Sequence, residues 1–142
     1  MSHIKIEKLI STIKFIRKFS KVPICIDTEG AQIRTKIKNT KKYKINSRLI
    51  IYKKEKKFQI YPTEVFNKLK KNDLLDIGFD GLKIKIIKKF TDKLICKVLS
   101  EGLLENNKGI HLANRNINLN FVTKKDERAI NLAKKMNIKH FA

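Results

Sequence analysis

The sequence predicts an α/β frame interrupted by a β-rich insertion, and three observations carry that prediction. The apolar run Val22-Pro23-Ile24-Cys25-Ile26 ends at once in Asp27-Thr28-Glu29-Gly30. It reads as a strand buried on both faces, of the kind found in parallel sheets covered by helices. Segments of helical periodicity lie on either side, at Ile4–Ser20 and after Thr123. From about Lys36 to Asn116 the texture changes to short isoleucine- and tyrosine-rich stretches broken by lysine and asparagine, which suggests a small antiparallel module. A helix feeding an apolar strand is half of a β/α barrel repeat. The implied division is a first piece of frame at 1–35, an insertion at 36–116 and a return at 117–142.

The helix over Ile4–Ser20 follows from Ile6, Leu9, Ile10, Ile13, Ile16 and Phe19, which fall on one face at three- and four-residue spacing. Lys21-Val22-Pro23 ends it, because the residue before proline avoids the helical region. Asp27 and Thr28 then stand at the carboxyl end of the strand, where α/β folds place their chemistry. Gly30 permits a tight turn, and Arg34 is a planar donor suited to phosphate. Strand-like stretches follow at Tyr43–Ile45, Arg48–Lys53 and Phe58–Tyr61, whereas Thr63–Lys71 is equally compatible with a helical turn or a loop. Leu74–Gly81 reads as a strand entering an Asp-Gly turn. Leu82–Lys88 and Lys93–Leu99 read as paired strands about the turn Phe90-Thr91-Asp92, and Gly102 closes the module. Thr123 and Asp126 have the spacing of a capping box, ahead of an apolar stripe of Ala129, Ile130, Ala133 and Met136. Asn137 suits a left-handed cap, after which Ile138–Ala142 begins another strand.

A chain of 142 residues has room for one ordinary domain or two small pieces, and 42% hydrophobic content suffices for a core. The net charge of +21 suggests nucleic acid, an anionic membrane or an acidic ligand as partner. The excess is lysine spread along the chain, which a compositional habit explains as well as a footprint does, since a footprint should cluster. Cys25 and Cys96 lie in apolar segments without metal-ligand spacing, so both are expected to be buried, reduced thiols. No charged leader precedes an apolar stretch, and no run approaches about 18 apolar residues. A cytoplasmic protein without a membrane span is the expectation.

The block Asp27-Thr28-Glu29-Gly30-Ala31-Gln32-Ile33-Arg34-Thr35 resembles the D-T-K-G-P-E-I-R-T motif of pyruvate kinases. The likeness continues in the family's order along nearly the whole chain. Met1-Ser2-His3 resembles the end of N-F-S-H-G, Phe79-Asp80-Gly81-Leu82 resembles D-D-G-L, and Asn107-Lys108-Gly109-Ile110 resembles N-K-G-V. Lys125-Asp126 resembles the K-D segment where the family's chain re-enters its barrel. The resemblance implies a partial TIM (β/α)8 barrel segment with an inserted all-β lid domain, a small β-barrel.

It also implies phosphoryl transfer between phosphoenolpyruvate and ADP giving pyruvate and ATP, the glycolytic reaction, with Mg2+ and K+ as cofactors. By resemblance Ser2, Asp27 and Thr28 are potassium ligands, and His3, Arg34, Asp80 and Lys108 lie on the nucleotide side. His111 and His140 are read as structural. Where the family has Lys-Gly-Pro-Glu this chain has Glu29-Gly30-Ala31-Gln32, placing an anion where a cation is usual; Coulomb repulsion there should weaken nucleotide binding. The family's magnesium-binding acids and catalytic lysine have no counterpart in these 142 residues. The chain by itself is therefore expected to be inactive, a fragment whose partner is the remaining barrel or a second copy. Two other readings are a basic β-barrel that binds nucleic acid, against which thin aromatic interleaving and the absence of tryptophan speak, and a non-catalytic regulatory or assembly fragment.

Overall fold

The helix expected over Ile4–Ser20 forms in two pieces, a 3-10 turn at Ile6–Lys8 and α1 at Leu9–Phe19. A computed structural model describes residues 4–30, 32–54, 57–78 and 81–142. In it the chain divides into two units, Met1–Ala31 with Asn120–Ala142, and Gln32–Leu119.

In the first unit, Leu9 and Ile13 of α1 pack with Ile26, Ala129, Ala133 and Ile138. The predicted apolar face is wider than the face that is covered. Ile10, Ile16 and Phe19 are exposed, and the Phe19 ring lies beside that of Phe15, with centroids 5.1 Å apart. The apolar run after the helix yields a strand of two residues, β1 (Cys25–Ile26), paired in parallel with β11 (His140–Phe141). Ile26 is buried, but Cys25 is exposed and Val22 is 71% exposed. The strand is thus not buried on both faces, and Cys25 is not a core thiol. The apolar cluster with Leu9, Ile13, Ala129 and Ala133 lies on the side of Ile26, and successive side chains of a strand point to opposite faces. Cys96 is buried, and desolvation pushes its thiol up to about 12. The helix after Thr123, α3 (Lys124–Lys135), has the expected capping box, and Asn137 has φ 56°.

The second unit is built on seven antiparallel strands. They are β2 (Ile33–Lys36), β4 (Arg48–Tyr52), β5 (Gln59–Tyr61), β6 (Leu74–Ile77), β7 (Leu82–Lys89), β8 (Lys93–Ser100) and β10 (Gly109–Leu112), in the order β4-β8-β7-β6-β10-β2-β5. The end strands β4 and β5 approach each other where the Tyr52 amide donates to the Phe58 carbonyl at 2.8 Å, which nearly closes the sheet. Period-two alternation turns Leu49, Ile51, Ile84, Ile86, Leu94 and Cys96 into one core. β3 (Lys41–Tyr43) pairs with β9 (Gly102–Leu104) as a separate ribbon. The strand expected at Tyr43–Ile45 lies earlier, and Ile45 is 58% exposed. The undecided stretch Thr63–Lys71 contains one short helix, α2 (Val65–Lys68).

The β7–β8 hairpin turns at Phe90-Thr91-Asp92 as expected, with the Phe90 amide donating to the Lys93 carbonyl. At the start of β6 the buried Asp73 accepts two bonds from Arg115, at 2.7 and 2.6 Å, and one from the Lys70 amide. Burial pulls its pKa upward, but these bonds outweigh it and hold the carboxyl below its usual value. Among the described residues no helix is long and apolar enough to cross a membrane.

Gly102 opens β9 against β7. A Cβ there would lie 2.7 Å from the Leu82 amide nitrogen and 2.9 Å from its Cα. Backbone cannot swing aside as a side chain can, so Gly102→Ala is expected to cost about 1–3 kcal/mol in chemical denaturation. Gly109 has nothing within 4 Å of that position, and Gly109→Ala is expected to be neutral or stabilising by up to about 1 kcal/mol.

Candidate functional site

The turn after β1 is fixed from two directions. The Thr28 amide and hydroxyl both donate to the Ala142 carbonyl, at 2.7 and 2.9 Å, and the Ala142 amide donates to Ile26 at 3.0 Å. Because the Thr28 hydroxyl spends its proton on that carbonyl, its oxygen lone pairs stay available. Asp27, beside it, is exposed at the carboxyl end of the strand. Ser2 and His3 lie outside the described residues.

The second hold is the carboxylate of Asp126. One oxygen accepts the Glu29 amide at 2.8 Å; the other accepts the Thr123 amide at 3.0 Å and the Thr123 hydroxyl at 2.7 Å. Asp126 is fully buried. Burial alone would raise its pKa, but the bonds from Glu29, Thr123 and Gly30 outweigh that and hold the carboxyl below its usual value. The capping box was legible from spacing. The bond to Glu29, far away in sequence, carried no local mark.

Glu29 itself is ion-paired with Lys125, and its side chain is only 10% exposed. The bare anion behind the expected Coulomb repulsion is therefore not what the fold presents. Lys125 neutralises the charge that replaces the family's lysine.

In the second unit β2 and β10 pair with Arg34 opposite Gly109, and the backbone of Lys108, one residue before β10, joins that of Thr35. The Thr35 amide donates to the Lys108 carbonyl and the Lys108 amide to the Thr35 hydroxyl, both at 2.8 Å. Arg34 Nη1 donates to the Asn107 carbonyl at 3.0 Å and Nη2 to Gln32 Oε1 at 2.5 Å. Its Nε is buried with no partner among the described residues. Lys108 Nζ sits 3.1 Å from Glu105 Oε2, and its stem lies over Gly78, which has φ 65°. The arginine is held by Asn107 and Gln32, and the lysine is tethered by the part-exposed Glu105. Glu105 was not singled out in the sequence, although its three-residue spacing to Lys108 was readable. Asp80 lies outside the described residues. His111 and His140 are both exposed.

The family model for pyruvate kinase, barrel domain, matches residues 1–142. A pyruvate kinase of Borreliella burgdorferi is 29% identical over 147 residues, covering 99% of this chain and 31% of that protein. One of Staphylococcus saprophyticus is 33% identical over 137 residues, covering 82% of this chain and 22% of that protein. Among solved structures, a pyruvate kinase of Cryptosporidium parvum has a TM-score of 0.85 at 23% identity, covering 99% of this chain and 32% of that one. A structure described as the Cryptosporidium parvum enzyme in complex with ADP has a TM-score of 0.81 at 23% identity and covers 100% of this chain and 31% of that one. The structural likeness speaks to the fold. The chain spans about a third of the length of the first of these relatives, 31%.

Asp126→Ala is expected to destabilise the first unit by about 3 kcal/mol at neutral pH, since it strands buried donors that had a charged acceptor. The folded pKa of Asp126 is depressed, so its contribution is complete above the unfolded value of about 4 and is lost as pH falls through the lower folded value. The stability gap between wild type and variant, followed by denaturation from pH 7 downward, should shrink in that acid window.

Proposed function

We propose, from the premise that this chain belongs to the pyruvate kinase family, that it supplies nucleotide-side and cation-side parts of a site for phosphoryl transfer between phosphoenolpyruvate and ADP. The parallel pairing of β1 with β11, each following a helix, supports reading the first unit as successive β/α units of a TIM barrel. The nearly closed antiparallel unit is then the inserted lid.

The observation that supports the nucleotide part is that the pairing of β2 with β10 anchors Arg34 and the backbone of Lys108 at the same end of one ladder. Phosphoryl transfer spreads negative charge over the moving group and its neighbours, so preplaced cations do most of what a protein can do for it. Arg34 is held through both terminal nitrogens by Asn107 and Gln32, and its buried Nε has no partner among the described residues. In this reading it binds phosphate oxygens directionally, and Lys108 acts as a point charge that exchanges Glu105 for phosphate. His3 and Asp80 belong to the same nucleotide side by motif.

The cation part rests on donor chemistry. Asp27 and Thr28 offer a carboxylate and a hydroxyl oxygen, which suit a hard monovalent cation, and Ser2 would add a third oxygen. Bound there, K+ would supply fixed positive charge beside a polyanionic substrate. Asp126 and Ala142 contribute by holding the turn in place. For Mg2+ the residues do not fit: among the described residues no group of three or more His, Cys, Asp or Glu side chains gathers that could hold a metal ion.

Calorimetric titration of ADP into the 142-residue chain tests the nucleotide part. Arg34→Ala is expected to weaken binding about tenfold or more, the worth of a lost charge-assisted bond. Glu105→Gln is expected to strengthen it by releasing Lys108. Indistinguishable affinities for the three proteins would contradict the assignment. In a coupled assay the chain by itself is expected to form no pyruvate, and clear ADP-dependent formation would overturn that expectation.

A further inference from the structure

The lysines that look scattered in sequence line up in three dimensions on one face of the second unit. Arg48 of β4 is directly opposite Lys97 of β8, and Lys97 is directly opposite Lys85 of β7. Burial patterns put Leu49, Cys96 and Ile84 inside, so all three cations stand on the outer face. Neither β4, β7 nor β8 contains a carboxylate residue. The nearest strand acid, Asp76 of β6, is committed to Lys83 at 3.8 Å. Like charges directly opposite one another in a sheet are destabilising, and here the penalty is incurred twice in one row. A fold under selection for stability alone would place an acid at the middle position.

We propose that this outer face, with Arg48, Lys97 and Lys85 opposite one another on three adjacent strands, is a binding surface for single-stranded nucleic acid. The proposal goes beyond the phosphoryl-transfer reading and uses none of its residues. A row crossing three strands at about 4.8 Å per step sets three point charges in a line, the arrangement an extended phosphodiester chain can follow. Farther along the same strands Tyr52 is opposite Lys93, whose Nζ lies 5.6 Å from the centroid of Phe90, a ring 44% exposed. Aromatic faces beside cations are what unpaired bases stack on.

The test is fluorescence anisotropy with a labelled 12-nucleotide oligouridylate and the 142-residue chain over a series of salt concentrations. Engagement of about three phosphates predicts a slope of about −2 for log affinity against log salt. Lys97→Glu should weaken binding at least tenfold and at the same time raise the thermal midpoint, because it turns two repulsive pairs into attractive ones. Lys97→Gln should show both effects in smaller degree. Lys18→Glu, on exposed α1 in the other unit, changes net charge equally and should alter affinity less than twofold. Equal losses for Lys97→Glu and Lys18→Glu would mean diffuse charge and would overturn the proposal. So would Lys97-dependent binding to phosphatidylserine vesicles with none to RNA, or a Lys97→Glu variant that binds RNA unchanged.

Discussion

One buried carboxylate holds the base of the excursion that the chain makes out of its α/β unit. Glu29 lies just before the chain leaves for Gln32–Leu119, and Thr123 lies just after it returns. The amides of both end on Asp126. Closing so long a loop carries an entropic cost that grows only slowly with length, and a charged acceptor shared by the two passages offsets part of it. The same carboxylate caps α3, so helix start, strand end and insertion point are set by a single side chain. The depressed pKa follows from that role: donors converge on a group that burial alone would have kept neutral.

The second unit shows how a sheet gathers charge that the sequence disperses. Pairing of β2 with β10 sets Arg34 and the backbone of Lys108 at one end of a ladder, and pairing of β4, β8 and β7 aligns Arg48, Lys97 and Lys85. The first pair is moderated, because Glu105 takes up the lysine and carbonyl and amide oxygens hold the arginine. The second has no such relief on its strands.

Local signals carried through to structure where the interaction itself is local. The Thr123–Asp126 box, the left-handed Asn137 and the hairpin about Phe90-Thr91-Asp92 each involve residues a few positions apart. Burial was harder to read, because it depends on what covers a segment. Val22–Ile26 has the composition of an interior strand, yet Cys25 points away from the helices that bury Ile26. Ile33–Lys36 forms a strand whose partners β10 and β5 are remote in sequence, so nothing local marks it. In the candidate site, Asp27, Thr28, Arg34 and Lys108 were named from motif resemblance. Their supports were not: Ala142, Asn107 and Glu105 reach them by backbone carbonyls or through a lone acid that no pattern distinguishes.

The role of Asp126 is tested most directly by following the Glu29 and Thr123 amide resonances in a pH titration by NMR. If one carboxylate joins the two passages, both signals shift together with a single midpoint below the usual aspartate value. A response at Thr123 with none at Glu29 would leave the helix cap intact and contradict the clasp across the insertion.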